Sequence, residues 1–152
     1  MNRITVVEKI VNDMLLAIED QNIKTKGFSH IFGVAKLSVL LAIKRNEDQE
    51  LACIAGLLHD YYAYKALDRH NHAIKGALMA ADILAKTNLF TKEEITKIYS
   101  SISHHSDKDI EHNTFAEILK DADVLEHYLA NPLKDIPERE KARLNKVIQE
   151  LK

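Results

Sequence analysis

Apolar residues recur along most of this chain with the period of an α-helix. In residues 4–20 they stand three or four positions apart, which places Ile4, Val7, Val11 and Met14 on one face. The same spacing predicts further helices at about 29–44, 49–61, 71–86, from Thr91 to about His105, at 114–130 and at 137–151. No segment alternates apolar and polar residues over the length of a strand. The pattern therefore predicts an all-α fold, a bundle of about seven helices.

Local signals predict where the helices begin and end. Residues 21–27 are polar and end in glycine, which predicts a loop. Residues 61–69 are rich in tyrosine and are predicted to form another connection. Two capping boxes are predicted where a threonine precedes a glutamate by three residues, at Thr91 with Glu94 and at Thr114 with Glu117.

Length and composition narrow the range of functions. The 152 residues fit one domain, residues 1–152, and a net charge of −2 gives no sign of a nucleic-acid binder. No apolar run approaches the length needed to span a bilayer. The segment Met1–Glu8 is interrupted by charge too early for a signal peptide, and the single cysteine, Cys53, cannot form an internal disulfide. We therefore expect a cytoplasmic location.

Several histidines and aspartates occur on apolar helix faces. The most specific signal is the adjacent pair His59-Asp60, which ends a predicted helix that is apolar nearly all round. The other members are His30, His72, His105 and Asp123, each on or beside the apolar stripe of a different predicted helix. Helical bundles build metal sites from side chains that project inward from facing helices. Imidazole nitrogen together with carboxylate oxygen suits Zn, Mn or Fe better than Ca.

Each of these residues also has an ordinary structural explanation. A single histidine on an apolar helix face is usually a core or boundary residue, and a single aspartate near such a face is usually solvated. Five such positions on different helices are much less probable as independent accidents, so a metal site is the favoured interpretation. The alternative interpretation is a helical interaction domain whose histidines have only a structural role. His70, His112 and His127 are predicted to lie at the surface, and Asp121 on a wetter helix face than Asp123.

The same residues resemble the HD-domain metal-dependent phosphohydrolases. The resemblance is carried by His30 in Phe-Ser-His-Ile-Phe-Gly-Val, by Ala-Gly-Leu-Leu-His59-Asp60, and by Asp121-Ala-Asp123-Val-Leu-Glu126. It covers about residues 26–130 and keeps the family's order of His, His-Asp and Asp. It implies an HD-like fold and a metal held by His30, His59, Asp60 and Asp123, the second aspartate of the last segment being the ligand.

A narrower resemblance concerns HD proteins that hold two metals. His72 and His105 look like the two additional histidines of that group, which includes bacterial hydrolases of symmetric dinucleoside tetraphosphates. Those enzymes share the sequence His-Asp-Tyr, here at positions 59–61. The chain departs from the family at Gly33, where an arginine is common, and in residues 61–65, where Tyr-Tyr-Ala-Tyr-Lys replaces the usual turn. These departures affect the expected substrate pocket.

The resemblance implies a metal-dependent phosphohydrolase. The expected reaction is cleavage of a phosphoester or phosphoanhydride in a nucleotide or another small phosphorylated molecule, by water activated on Fe, Mn, Zn, Ni or Co. Asp60 is expected to bridge two cations, His104 to donate a proton to the leaving oxygen, and Lys65 or Lys75 to add positive charge. The alternative is a catalytically silent metal- or nucleotide-binding module. No membrane or stable nucleic-acid partner is expected, and an oligomer is possible.

Overall fold

The computed structural model describes all 152 residues and contains helices but no strand. The elements are α1 (Arg3–Leu16), α2 (Gln21–Arg45), α3 (Gln49–Leu58), α4 (Tyr61–Ala66), α5 (His72–Thr87), α6 (Lys92–Ser103), α7 (Thr114–Ala130) and α8 (Glu138–Leu151). The predicted all-α fold is confirmed. The count is eight because a short helix, α4, forms within the segment predicted to be a connection.

The break between α3 and α4 occurs at the His59-Asp60 pair. Asp60 has φ −110° and ψ 10°, which interrupts the helical path, and α3 ends at Leu58, three residues before the predicted end at Tyr61. The chain then forms the single turn and a half of α4, which buries Tyr61 and Tyr64. The break changes the direction of the chain at Asp60. The Asp60 carboxylate then lies between histidines of two helices, His30 of α2 and His72 of α5.

The predicted loop at residues 21–27 is wrong, because these residues form the first two turns of α2. Asp20 caps the helix by accepting hydrogen bonds from the backbone N–H groups of Asn22 and Ile23, each at 2.9 Å. Gly27 does not break the helix. It allows close packing, since a Cβ there would stand 2.7 Å from the side chain of Leu15.

One of the two predicted capping boxes is confirmed. Thr91 and Glu94 cap α6 reciprocally, as expected. The box predicted at Thr114 is wrong, because Asn113 is the residue whose side chain caps α7. The asparagine comes one position earlier and accepts a hydrogen bond from the backbone N–H of Ala116 at 3.0 Å, whereas a box at Thr114 would use the N–H of Glu117.

More residues of α7 face the interior than its pattern of apolar residues predicts. Asp121, expected on a wetter face, is only 8% exposed and pairs with two arginines, Arg45 from α2 and Arg143 from α8. Arg143 also pairs with Glu117, one turn earlier. These ion pairs fasten α8 to the rest of the bundle, and burial of the carboxylate is possible because both arginines reach it.

Helix α2 is the centre of the bundle. It packs along α3 on one side and α7 on the other. Contrary to the sequence-based expectation, it is long and apolar enough to span a membrane by length and composition. Its apolar residues Ile31, Val34 and Leu41 are fully buried in the core, so the composition reflects a central core helix.

The crossing of α2 and α3 depends on Gly56. A Cβ at this position would stand 2.6 Å from Cα and 2.9 Å from the backbone nitrogen of Ala35 on α2. Backbone atoms cannot move aside as a side chain can, so only glycine permits this separation. The crossing also sets the distance between His30 on α2 and His59 at the end of α3.

We predict that Gly56→Ala destabilises the protein by about 1–3 kcal/mol, because the added methyl group forces two packed backbones apart. Urea unfolding followed by circular dichroism measures the change. Gly27→Ala is the matched control; its methyl group meets only side chains of Leu15 and Tyr64, and alanine favours helix, so it should cost less. Equal stability of Gly56→Ala and the wild-type protein would contradict the assigned role of the crossing.

Candidate metal centre

Four of the predicted ligands converge on one point. The Nε2 atom of His30 lies 3.2 Å from Nε2 of His59, 3.5 Å from Oδ2 of Asp60 and 3.3 Å from Oδ1 of Asp123. His59 Nε2 lies 3.7 Å and 3.8 Å from the same two carboxylate oxygens. The four residues come from α2, the α3–α4 junction and α7, and all are buried.

A second set of ligand atoms meets on the other oxygen of Asp60. The Nε2 atoms of His72 and His105 lie 3.2 Å apart, and each is 3.4 Å from Asp60 Oδ1. His72 is the first residue of α5, and His105 follows the end of α6. Asp60 therefore belongs to both sets, with Oδ2 in the first and Oδ1 in the second.

The spacing within both sets suits a transition metal. Neighbouring ligand atoms about 2.0–2.2 Å from a metal stand about 2.8–3.6 Å from one another in octahedral or tetrahedral geometry. The observed separations are close to this range. In addition, Asp60 Oδ1 is fully buried and has no hydrogen-bond partner, which is costly for an ionised oxygen unless a cation or proton is shared with it. The residues present therefore fit a bound metal.

The four histidines are oriented by hydrogen bonds to their other ring nitrogen. The Nδ1 atoms of His59, His72 and His105 face the carbonyl oxygens of Gly56, Arg69 and Ile102 at 2.7, 3.0 and 2.7 Å, and Nδ1 of His30 faces the Glu126 carboxylate. Because these partners only accept, each Nδ1 must carry the hydrogen. Nε2 of a neutral ring is then unprotonated and points into the cluster, as metal coordination requires.

The electrostatics of the cluster favour a cation. Burial alone would raise the pKa of Asp60 and Asp123. Neighbouring histidines nevertheless hold the pKa of Asp60 well below its usual range, and Lys108 together with neighbouring histidines does the same for the pKa of Asp123. Burial lowers the pKa of His59 to about 4, so this ring is neutral. Burial also opposes protonation of His30, but the surrounding carboxylates outweigh it and raise the pKa of His30 to about 12. Without a metal, a proton on His30 supplies the missing positive charge.

Lys108 contacts the centre although no sequence pattern identified it. Its ammonium group donates to Asp123 Oδ2 at 2.7 Å and to the carbonyl oxygen of His105 at 2.6 Å. Arg143 in turn donates to the carbonyl oxygen of Lys108 at 3.0 Å. Lys108 lies in a charged connection without periodicity, where a buried lysine looks like any solvated one. It joins a ligand of the first set to the segment that carries a ligand of the second.

Glu126 and His127 extend the centre along α7. His127, predicted to be a surface residue, has a half-exposed side chain, but its Nε2 lies 3.5 Å from Asp123 Oδ1 and its ring stacks on His30 at 5.2 Å. Glu126 accepts from His30. The two residues follow Asp123 by three and four positions, and this helical spacing is a signal that could have identified them.

Gly33 leaves room for Glu126. A Cβ at position 33 would stand 2.9 Å from Cγ of Glu126, so a larger side chain would displace the carboxylate from His30. The resemblance to HD proteins suggests an arginine at position 33. The space that its side chain would need is taken here by the aliphatic part of a glutamate from α7.

The two lysines expected to add charge do not contact the cluster. Lys65 extends over the ring of Tyr61, with its ammonium nitrogen 5.7 Å from the ring centre. Lys75 pairs with Asp68 at 3.1 Å. No hydrogen bond or ion pair joins either lysine to a predicted ligand, so the geometry does not support a catalytic role for them.

His104 turns away from its neighbour His105. Its Nδ1 lies 3.2 Å from Asp107, and its ring stacks on His112 at 3.9 Å. Although these three residues resemble a small metal site, the ammonium group of Lys120 lies 2.6 Å from Nδ1 of His112. This positive charge opposes a cation there. His104 is half-exposed beside the centre and has no contact with the two ligand sets.

The HD domain family matches residues 27–128, a segment that includes all six predicted metal ligands. This chain belongs to the HD-domain family. HD domains bind divalent metals, which agrees with the two buried clusters. No curated protein matches the chain.

A crystal structure shows the same fold. It is that of a predicted HD superfamily hydrolase from an uncultured Thermotogales bacterium, with a TM-score of 0.68 and 23% sequence identity. The match covers 97% of this chain and 88% of the other. The helical arrangement described here is therefore that of an HD-domain protein over nearly its whole length.

We predict that Glu126→Ala lowers metal affinity by about 10–100-fold, because His30 loses both its orienting acceptor and a nearby negative charge. Titration of metal-free protein with Mn²⁺ measures the affinity. Glu138→Ala, which removes an exposed glutamate of α8, is the control and should bind Mn²⁺ as the wild-type protein does. An unchanged affinity in Glu126→Ala would show that the contact with His30 is not required.

Proposed function

We propose that this protein is a metal-dependent phosphohydrolase that cleaves a phosphoester or phosphoanhydride of a nucleotide or another small phosphorylated molecule. The observation that carries the proposal is Asp60, whose two oxygens each face a separate pair of imidazole nitrogens. A carboxylate shared in this way is the arrangement of two-metal hydrolases. Membership of the HD-domain family supports the same reaction class.

The residues supply binding and orientation. A bound divalent cation contributes Lewis acidity and lowers the pKa of a coordinated water to about 7. His30, His59, Asp60 and Asp123 would hold one cation, and Asp60, His72 and His105 a second. Lys108 neutralises the outer oxygen of Asp123 and fixes its plane, so that Oδ1 remains directed at the first position.

The donor set narrows the choice of metal. Four imidazoles and two carboxylates form a mixed nitrogen and oxygen set, which suits Fe, Mn, Zn, Ni or Co and disfavours Ca or Mg. Asp60 would help to hold both cations of a two-metal hydrolase site, because it is common to the two ligand sets. We propose that the site has the capacity for both.

The proposal extends to the proton donor, the extent of the domain and its location. His104 is half-exposed beside His105, and we retain it as the proposed proton donor to the leaving oxygen, while Lys65 lacks a supporting contact. The domain would comprise residues 1–152 and act in the cytoplasm on a small substrate, with no membrane or nucleic-acid partner.

The alternative is a module that binds metal or nucleotide without turnover. Both functions require metal uptake, so metal analysis of purified protein separates them from a purely structural role of the histidines. Release of phosphate from a panel of nucleotides and simple phosphate esters, measured with Mn²⁺ added and again after chelation, separates the enzyme from the silent module. Metal uptake without release of phosphate from any substrate would favour the alternative.

We predict that Asp60→Asn abolishes phosphate release while leaving the helical circular dichroism spectrum intact. The amide keeps the shape of the side chain but lacks the negative charge and the second acceptor oxygen that the two ligand sets share. Asp82→Asn, an exposed change on α5, is the matched control. Activity of Asp60→Asn near that of the wild-type protein would rule out this mechanism.

A further inference from the structure

Arg69 lies at the open edge of the metal centre, on the connection between α4 and α5. Asp68 fixes this connection by accepting hydrogen bonds from the backbone N–H of His70 at 2.9 Å, the hydroxyl of Tyr62 at 3.0 Å and the ammonium group of Lys75 at 3.1 Å. Arg69 is therefore presented from a well-tied segment, although its own side chain is 57% exposed.

Arg69 contacts both ligand sets. Its carbonyl oxygen accepts from Nδ1 of His72 at 3.0 Å and so orients that ring. Its guanidinium donates from Nη1 to Asp60 Oδ2 at 3.1 Å and lies 5.5 Å from the centre of the Tyr64 ring. One residue thus supports a ligand of the second set through its backbone and touches the shared carboxylate through its side chain.

Arg69 differs from Lys108, the other cationic side chain that touches a ligand carboxylate. Lys108 is 3% exposed, and its ammonium group is engaged by Asp123 and a backbone carbonyl. Arg69 is largely exposed, and a single one of its five N–H donors has a partner. Arg69 is therefore the cation of this centre with donors available to a ligand that arrives from solvent.

A bound cation would weaken the contact between Arg69 and Asp60. The oxygen that Arg69 contacts, Oδ2, also lies 3.5 Å and 3.7 Å from Nε2 of His30 and His59, so it belongs to the first ligand set. A metal in that set draws on the same lone pairs and repels the guanidinium. The exposed side chain can then turn away from Asp60 over the ring of Tyr64, with its donors directed to solvent.

We propose that Arg69 binds the phosphate group of the substrate at the metal centre, and that its bond to Asp60 holds it in place until a cation arrives. This inference rests on the proposed phosphohydrolase function. A planar guanidinium pairs with two phosphate oxygens at once, which a lysine ammonium cannot reproduce. Arg69 takes the role that the sequence suggested for Lys65 or Lys75.

The test uses the full chain loaded with Mn²⁺ and inorganic phosphate as the probe. Calorimetric titration should show phosphate binding that falls by about 10–100-fold in Arg69→Gln, the loss expected for charged hydrogen bonds. Arg69→Lys should lie between the two, because it keeps the charge but not the planar fork. Arg139→Gln, which removes an exposed arginine on α8, is the matched control and should leave phosphate binding unchanged.

A separate Mn²⁺ titration distinguishes binding of phosphate from a structural role. Because Arg69 competes for Asp60 Oδ2, Arg69→Gln should bind Mn²⁺ at least as tightly as the wild-type protein. A fall in Mn²⁺ affinity, or phosphate binding equal to that of the wild-type protein with Mn²⁺ bound, would overturn the proposal for Arg69 and leave the proposed function standing. A wild-type protein that takes up no Mn²⁺ would overturn both the proposal for Arg69 and the proposed function, and the Mn²⁺ titration would reveal this before any phosphate is added.

Discussion

A cluster of ionised carboxylates inside a helical core is the constraint that the rest of this structure satisfies. Asp60, Asp123 and Glu126 are each less than 10% exposed and meet within a few ångströms around His30. Buried charge of one sign is unfavourable without a partner. Lys108 and Arg69 each supply one positive charge, and His30 supplies a third when protonated. The position occupied by that proton is also the position that suits a cation.

The fold satisfies this constraint with a simple local device. His59, His72 and His105 each direct Nδ1 to the backbone carbonyl three residues earlier, at a helix end or in a turn. Such a bond needs no distant partner, so each ring is oriented by its own segment. The bundle then has only to place the segments correctly, which it does through close crossings such as that of α2 and α3 at Gly56. Local hydrogen bonds therefore orient the histidine rings, and the tertiary packing of the helices brings the rings together.

This division explains which features could be predicted from the sequence. Long periodic helices were predictable, and so was the placing of His30 and Asp123 on inward faces, because periodicity reports burial. The roles of Lys108 and Arg69 were not predictable, since both lie in polar connections where an apolar period cannot show which charged side chain reaches the centre. The sequence predicts a break at Gly27, because the contact that requires glycine there is with Leu15 of another helix and leaves no local signal. The termination of α3 at Leu58 was likewise hidden, since Tyr61 and Tyr64 continue an apolar pattern through the turn at Asp60.

The proposed ligand atoms come from segments spread from α2 to α7, so binding of a metal would be coupled to folding of the domain. An unfolded chain holds these side chains far apart and would bind a cation weakly, whereas the native state would bind it with all of them together. The free energy of unfolding would then rise with the concentration of free metal, by an amount that grows logarithmically above the dissociation constant. In a cell short of such metals, a smaller fraction of the protein would be folded, and proteases would degrade the unfolded molecules. The supply of metal would then govern how much of the protein persists as well as whether it is active.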